Sequence, residues 1–217
     1  MKPLFITFEG GEGAGKTSLI DKLEQTLTRQ GYSVIRTREP GGSILSETIR
    51  KWVLEHNNIN LAPMTELLLF LAARSQHIFE LIAPALQKGQ IVLCDRFNDS
   101  TIAYQGGARG LGIDKVTALC ELVTAQCQPD LTLYLDVDPT IGLARSRRTS
   151  KDTAKAGELD KIESQKLQFH ESVRESFLLL TKKFPKRIHL IDAHQDREHV
   201  YKNALAVIEE RLAPHHV

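Results

Sequence analysis

The amino-acid sequence predicts an α/β fold of three layers (α/β/α), in which the central layer is a five-stranded parallel sheet. Short, nearly continuous runs of Ile, Val, Leu and Phe alternate with longer runs that have helical periodicity. Strands without a polar face are typical of a parallel sheet that helices cover on both sides. The chain has 217 residues, which is enough for one such domain with a sizeable core. We therefore expect a single domain over residues 1–217, its strands joined by right-handed helical crossovers.

The predicted strands are the apolar runs Leu4–Glu9, Ser33–Thr37, Gln90–Asp95, Leu131–Asp136 and Arg187–Ile191. Parallel strands bring their carboxyl ends to one edge of the sheet, and open α/β sheets bind ligands at that edge. The residues that directly follow these strands are therefore the first candidates for a functional site.

The predicted helices lie between the strands and carry apolar stripes. They span residues 16–30, 64–88, 113–127, 159–184 and 196–212. Gly31 is expected to end the first helix as its C-cap. Pro84 is expected to disturb the second helix near its end, because proline cannot donate a helical hydrogen bond.

Composition limits the classes of partner. The formal net charge of +1 argues against a surface that coats nucleic acid. The three cysteines form no CxxC pair, which favours neither disulfides nor a zinc site, and Cys94 is expected in the core. The apolar part of the N-terminus is too short for a signal peptide, and no run approaches the length of a transmembrane helix. We therefore expect a cytoplasmic protein without a nucleic-acid or membrane partner.

Residues 10–17 match the phosphate-loop pattern GxxxxGK[ST], with Gly10, Gly15, Lys16 and Thr17 at the defined positions. A predicted strand precedes the loop and a predicted helix follows it, as the motif requires. Glycines let successive backbone N–H groups point at phosphate oxygens, and the helix adds the positive end of its dipole. Lys16 is expected to reach the β and γ phosphates, and Thr17 to ligate Mg²⁺. The loop predicts a nucleoside triphosphate site but does not distinguish a GTPase, a motor, a kinase or a regulator.

A second group of polar residues follows the third predicted strand. Asp95 stands where a ligand of Mg²⁺-bound water is expected, and Arg96 is placed to contact a phosphate. A structural salt bridge between Asp95 and Arg96 or a neighbour is the alternative. The next stretch, residues 98–107, could contact a sugar or a base, or Ser100 or Thr101 could cap a helix there.

Residues 145–157 are basic and lack apolar side chains other than alanine. They predict a mobile loop, with a lid at about 145–158 that closes over the triphosphate and brings arginines to it. A solvated charged surface is the alternative.

Phe70 and Arg74 are four residues apart and therefore share one helix face. Together they form a candidate site for stacking on and bonding to a planar base. A phenylalanine that simply faces the core is the alternative.

Five segments of the chain form a recognisable set in their order and spacing. They are FEGGEGAGKT, TREPGGS, LFLAARSQH, LCDRFNDSTIAYQGGARG and PDLTLYLDV. Together they resemble the thymidylate kinase family. The resemblance runs from Phe5 to about Asp192. It implies a P-loop NTPase fold and transfer of the γ-phosphoryl group of ATP to dTMP, giving dTDP and ADP, with Mg²⁺. It also implies a homodimer, for which helix 64–83 is a candidate interface, although a buried intramolecular face would explain that helix as well.

The resemblance also implies roles on the donor side. The implied ATP-binding residues are Gly10, Gly11, Glu12, Gly13, Ala14, Gly15, Lys16, Thr17 and Ser18. The implied catalytic residues are Lys16, Arg96, Glu12, Arg145, Arg147 and Arg148, and the implied metal-site residues are Thr17 and Asp95. The phosphate loop carries no basic residue before Lys16, so the chain resembles the bacterial members whose catalytic arginine lies in the lid. Phe97 departs from the Tyr or His that is more usual in the family.

On the acceptor side, the implied dTMP-binding residues are Glu39, Pro40, Arg50, Phe70, Arg74, Arg96, Ser100, Thr101, Tyr104 and Gln105. In this family's pattern Phe70 stacks on thymine, Arg74 bonds its O4 edge and Tyr104 crowds the 2′ position of the sugar. Glu12 lies near the 3′-hydroxyl.

Two other functions compete with this one. One is a phosphate-loop kinase for another acceptor, and the other is a nucleotide-dependent switch that binds ATP but transfers nothing to a small molecule.

Overall fold

A computed structural model describes residues 3–55, 59–125, 127–151, 162 and 164–213 of the chain. Five parallel strands form one sheet in the order β2-β3-β1-β4-β5. The strands are β1 Leu4–Glu9, β2 Val34–Arg38, β3 Ile91–Asp95, β4 Leu131–Asp136 and β5 Ile188–Asp192. Each predicted strand is confirmed to within one residue of its bounds, because a strand covered on both faces is apolar along its whole length.

Helices occupy the connections between strands. Their bounds are α1 Lys16–Arg29, α2 Ile44–Arg50, α3 Pro63–His77, α4 Ala83–Gln87, α5 Asn98–Thr101, α6 Ile113–Thr124, α7 Pro139–Lys151, α8 Leu167–Lys183 and α9 Arg197–Leu212. Three π-helical segments continue α2, α3 and α5 without a break, over Lys51–Glu55, Ile78–Ile82 and Ile102–Ala108. The second of these directly precedes α4, where Pro84 cannot donate to the preceding turn, so the disturbance expected at Pro84 is observed as a widened turn.

Helix ends follow the local backbone. Gly31 has a φ of 88°, as expected of the residue just beyond the C-cap of α1. Helix α6 ends at Thr124, three residues before its predicted end, because Ala125 adopts a φ of 46°. Helix α8 begins only at Leu167, since Lys166 is extended. Of the eight predicted residues before it, four (159–161 and 163) lie outside the described part of the chain, and the other four are not helical.

The prediction of a loop from residue 145 is wrong for its first part. Helix α7 continues to Lys151, and residues 152–158 of the predicted lid lie outside the described residues. The helical part of the stretch lacks apolar side chains, but arginine and lysine are strong helix formers. The absence of an apolar stripe showed only that Arg145, Arg147 and Arg148 face solvent.

The sheet carries a core on each face. One cluster packs Leu19 and Leu23 of α1 and Ala204 of α9 against the sheet. On the opposite face Tyr134 of β4 stacks on Phe177 of α8, with ring centroids 4.9 Å apart. Cys94 is fully buried, as predicted.

The helical stretch Pro63–Gln87 corrects one sequence prediction. A window of 18 residues within it has a mean hydropathy of 1.2, and its length of 25 residues is that of a membrane-spanning helix, so the expectation that no run approaches this length is wrong. The same test is passed by the core helix of a globular domain, and here Leu67, Phe70 and Leu71 pack into the second core cluster. The apolar character of this stretch therefore has an explanation within the fold.

The sheet order places the two candidate site segments side by side. Strands β1 and β3 are neighbours, with Phe8 paired to Asp95. The backbone N–H of Arg96 donates to the carbonyl of Phe8 (2.9 Å), and that of Glu39 donates to the carbonyl of Asp95 (2.9 Å). The carboxyl ends of β1, β2 and β3 thus meet at one edge of the sheet.

Candidate active site

The phosphate loop connects β1 to α1 in a conformation that depends on glycine. Gly10, Gly13 and Gly15 have φ values of 146°, 67° and 93°, in the region that other residues rarely adopt. A Cβ on Gly13 would stand 1.9 Å from the carbonyl oxygen of Gly142 in α7. The loop therefore packs backbone to backbone against α7, which holds its N–H groups in place.

Lys16 opens α1 and folds back over the loop. Its ammonium donates to the carbonyls of Gly10 (3.1 Å) and Gly11 (3.2 Å). Burial, followed by the nearby charge of Arg96, lowers the pKa of Lys16. The start of α1 is thus crowded with positive charge, which the oxygens of a bound polyphosphate would relieve.

Asp95 and Thr17 face each other across the loop. The hydroxyl of Thr17 lies 3.5 Å from one Asp95 carboxylate oxygen. The other oxygen is buried and accepts no hydrogen bond from the described residues. Oxygen donors of this kind fit Mg²⁺. Within the described residues no cluster of three His, Cys, Asp or Glu side chains could hold a metal without the phosphates.

Arg96 connects the phosphate loop to the other side of the site. Its Nη2 donates to Glu12 (2.8 Å), and its Nη1 donates to Ser100 (3.1 Å) and Tyr104 (3.2 Å). Tyr104 in turn donates to Glu12 (3.1 Å). The salt bridge considered for Arg96 is therefore made with Glu12 of the loop and not with Asp95.

Both members of this pair stay charged. Burial alone would raise the pKa of Glu12, but Arg96 and Lys16 outweigh it and lower that pKa. Burial likewise works against the guanidinium, yet Tyr104 and Glu12 raise the pKa of Arg96 well above its usual value. The pair is thus a fixed cation beside an anion at the boundary of the phosphate loop.

Glu9, at the end of β1, was missed by the sequence interpretation. It is fully buried and accepts hydrogen bonds from the backbone of Phe97 (2.8 Å) and the hydroxyl of Ser100. Burial, and then the charge of Asp99, raises the pKa of Glu9 to about 8. Its carboxyl group ties the end of β1 to the start of α5.

All ten residues predicted to bind dTMP line a single cleft beside the phosphate loop, together with Glu12. The cleft holds about 700 Å³ of empty space, counting the part open to solvent. Leu54, Phe97 and Ile162 also line it. Phe70 belongs both to the cleft wall and to the second core cluster, so it packs in the core, and its stacking on a base stays a prediction.

Arg74 lines the cleft and is only 3% exposed. Its guanidinium donates to Glu39 through Nε (2.6 Å), to Thr101 through Nη2 (2.9 Å) and to Cys120 through Nη1 (3.8 Å). It also lies over the ring of Phe97, 4.9 Å from the centroid. These contacts use three of its five N–H groups, which leaves two for a ligand.

Glu39 lines the cleft but does not present a free carboxylate to it. One oxygen accepts from Arg74, and the other lies 2.9 Å from Nδ1 of His77. Arg50 donates to the carbonyl of Pro40 (3.0 Å), which holds the turn after β2 against α2. Because both of its oxygens have partners, Glu39 contributes to the cleft mainly by holding Arg74 and His77 in place.

The stretch after Phe97 is helical from Asn98, and no side chain caps its start. Ser100 bonds to Glu9 and Arg96, and Thr101 bonds to Arg74. The capping interpretation of these two hydroxyls is wrong, because both are engaged within the cleft wall.

The three lid arginines lie in the C-terminal half of α7, where each of them is exposed, and none of them lines the cleft. Arg145 donates to the carbonyl of Ala193 (2.9 Å). The structure therefore brings the acceptor residues together with the phosphate loop but leaves these arginines outside the cleft.

Further cleft-supporting residues escaped the sequence interpretation. Glu66 accepts from Gln105 (2.9 Å) and from Arg109, and Ile162 enters the cleft wall from beyond the predicted lid. A signal existed for His77, which falls in the segment LFLAARSQH, one helical turn after Arg74. Glu9 could have been found as a carboxylate at the end of an otherwise apolar strand.

Comparison with known proteins agrees with this geometry. The family model for thymidylate kinase matches residues 8–204. Thymidylate kinase of Protochlamydia amoebophila is 54% identical over 97% of this chain and 94% of its own, and that of Bacillus velezensis is 47% identical over 98% of both. Among solved structures, thymidylate kinase from Ehrlichia chaffeensis superposes with a TM-score of 0.75 at 33% identity, over 96% of this chain and 99% of its own. The P-loop NTPase fold is thereby confirmed, and the chain belongs to the thymidylate kinase family.

Proposed function

We propose that this chain transfers the γ-phosphoryl group of ATP to dTMP, giving dTDP and ADP. The observation that carries the proposal is the contact between Arg96 and Glu12, which joins a phosphate loop to the cleft that the predicted acceptor residues line. A donor phosphate on the loop and an acceptor phosphate in the cleft would meet at this point.

The chemistry requires little covalent help from the protein. The dTMP phosphate is an adequate nucleophile near neutral pH, so catalysis consists mainly of alignment and charge neutralisation. Lys16 would contact the β and γ phosphates. Arg96 would bridge the donor and acceptor phosphates, since its guanidinium already faces the loop on one side and Tyr104 on the other.

Thr17 and Asp95 would hold Mg²⁺, directly or through its water. What supports this part is the Asp95 oxygen that accepts no hydrogen bond from the described residues. When bound, the cation neutralises charge on the transferred phosphoryl group.

The cleft suits a thymine deoxynucleotide. Phe70 offers a face for stacking, and the two remaining N–H groups of Arg74 suit a carbonyl such as O4. Tyr104 is held against Glu12 and would crowd a 2′-hydroxyl. The lid arginines Arg145, Arg147 and Arg148 would neutralise charge on the phosphates when the lid closes.

We further propose that the chain forms a single domain, that two copies associate as a homodimer, and that the protein is cytoplasmic. What supports the dimer is the outer face of the long helix, where Leu68 is 54% and Phe79 76% exposed. Trp52 on the neighbouring segment is also exposed. An apolar surface of this kind is typical of an interface between subunits.

A coupled ADP-release assay tests the proposed function. With ATP and Mg²⁺ present, dTMP, dUMP, dCMP, dGMP, dAMP and UMP are offered in turn. We expect strong preference for dTMP, weak activity on dUMP and negligible activity on UMP. Preference for a different acceptor would favour another kinase, and ATP binding without acceptor-dependent release would favour a switch.

Replacement of the base-reading arginine refines this test. Arg74→Ala is expected to remove preference for dTMP over other deoxynucleotides while ATP binding persists, because Arg74 lies in the cleft and away from the loop. Unchanged selectivity in a folded variant would refute its assignment to the base.

A further inference from the structure

We propose that His77 is a positioning residue for recognition of the acceptor base, acting through Glu39 on Arg74. The inference deepens the proposed function and rests on it. His77 is fully buried on α3, one turn after Arg74, and it does not line the cleft. It therefore can influence the acceptor only through the residues it touches.

The imidazole joins two elements of the cleft wall. Its Nδ1 lies 2.9 Å from a carboxylate oxygen of Glu39, and its Nε2 lies 2.7 Å from the hydroxyl of Thr37. An ionised carboxylate can only accept, so Nδ1 must carry the hydrogen. In a neutral ring, Nε2 then accepts from Thr37. The ring is thus held from both sides in one orientation.

Glu39 passes this constraint to Arg74. One of its oxygens is taken by His77 and the other by Nε of Arg74 (2.6 Å), so the carboxylate cannot rotate without losing one partner. Thr101 holds Nη2 of the same guanidinium. The direction of the two remaining N–H groups of Arg74 is therefore set by a chain that begins at His77.

The turn after β2 also rests on the imidazole. Gly42 has a φ of 83°, and a Cβ at this position would lie 2.3 Å from Nε2 of His77. The backbone that carries Pro40 along one wall of the cleft thus packs directly on the ring. Loss of the ring would loosen this wall as well as Glu39.

Three substitutions of His77 distinguish a role in positioning Glu39 and Arg74 from a role in packing alone. His77→Phe retains a ring but removes both polar contacts. His77→Asn retains an N–H donor near the Nδ1 position, and His77→Gln places its amide near Nε2 instead. Ile208→Val, in the core on the opposite sheet face, controls for a modest loss of stability alone.

We expect His77→Phe to raise the KM for dTMP by about tenfold or more, as for loss of a hydrogen bond to a charged group. Its preference for dTMP over dCMP should fall, while the KM for ATP stays within about twofold of wild type. His77→Asn should recover most of the dTMP affinity and His77→Gln much less. Ile208→Val should leave both KM values unchanged.

The inference is overturned if folded His77→Phe keeps the wild-type KM and selectivity for dTMP, or if the KM values for both substrates rise together. It is also overturned if the KM for dTMP is no lower in His77→Asn than in His77→Gln. This comparison tests the inference even when His77→Phe does not fold. Absence of dTMP-dependent turnover in the wild-type protein would instead overturn the proposed function, and the inference with it.

Discussion

Arg96 shows how single residues of this site combine strain with function. Its backbone adopts a φ of 70°, uncommon for a residue with a side chain, and its N–H is tied to the carbonyl of Phe8. In this conformation the guanidinium contacts Glu12. Strained residues of this kind concentrate where position matters more than local stability.

Replacement of Arg96 by lysine tests the value of its planar guanidinium. Lysine has the same backbone strain but cannot contact Glu12, Ser100 and Tyr104 together. We expect Arg96→Lys to cost about 3 kcal/mol or more of transition-state stabilisation, on the scale of an arginine finger. Steady-state kcat and kcat/KM with dTMP measure the loss. A kcat close to that of wild type would contradict the bridging role.

Glu9 gives a second prediction at this scale, on pH. Its pKa is 4.5 in a free side chain and about 8 in the folded protein. Between these values the folded state keeps a proton that the unfolded state has lost, so the contribution of Glu9 to stability declines as pH rises. The free energy of unfolding, measured by denaturant titration, should therefore rise in Glu9→Gln relative to wild type as the pH increases from 4.5 to about 8. A difference independent of pH would show that Glu9 is ionised in the folded protein.

At the scale of elements, the phosphate loop and α7 act as one unit. Gly13 and Gly142 bring the two backbones into contact, and a Cβ on Gly142 would lie 2.3 Å from the carbonyl oxygen of Glu12. Any shift of α7 is therefore felt by Glu12 and, through it, by Arg96. The helix that carries the lid arginines is thus coupled to the catalytic pair before any lid closes.

Gly142→Ala tests this coupling. Alanine favours the helix by about 1 kcal/mol, but overpacking against the loop backbone costs about 1–3 kcal/mol. We expect a net loss of thermal stability together with a higher KM for ATP. Ala144→Ser, exposed on the same helix, is the matched control and should change neither. Normal ATP affinity in Gly142→Ala would mean that the loop adjusts without cost.

At the scale of the whole molecule, the sheet and the ligand-binding edge could be predicted because they depend on local patterns. The run IVLCD identifies β3 to within one residue of its start, and the motif around Lys16 identifies the phosphate loop. The support of Arg74 by Glu39 and His77 could not be predicted, since Glu39 and His77 are 38 residues apart and meet only after the helix packs on the sheet. The helical half of the lid segment was missed because solvent-facing helices leave no apolar period.

The assembly is a prediction at the same scale. Phe79→Glu places a charge on the exposed apolar face of the long helix and should turn a dimer into a monomer in size-exclusion chromatography with light scattering. Glu80→Gln, next to it and also exposed, serves as control. A wild-type monomer, or a dimer unaffected by Phe79→Glu, would exclude this face as the interface.

Phe70, Leu54 and Tyr104 form part of the cleft wall and part of the second core cluster at the same time. Redesign of this protein for a larger acceptor, such as a purine or a bulky nucleoside analogue, would have to trim these side chains. Each truncation would also open a void in the core, at about 2–5 kcal/mol for a change to alanine. A broadened substrate range and a loss of thermostability are therefore expected to arise together. Substitutions that restore stability without narrowing the cleft would have to lie in the first core cluster, around α1 and α9.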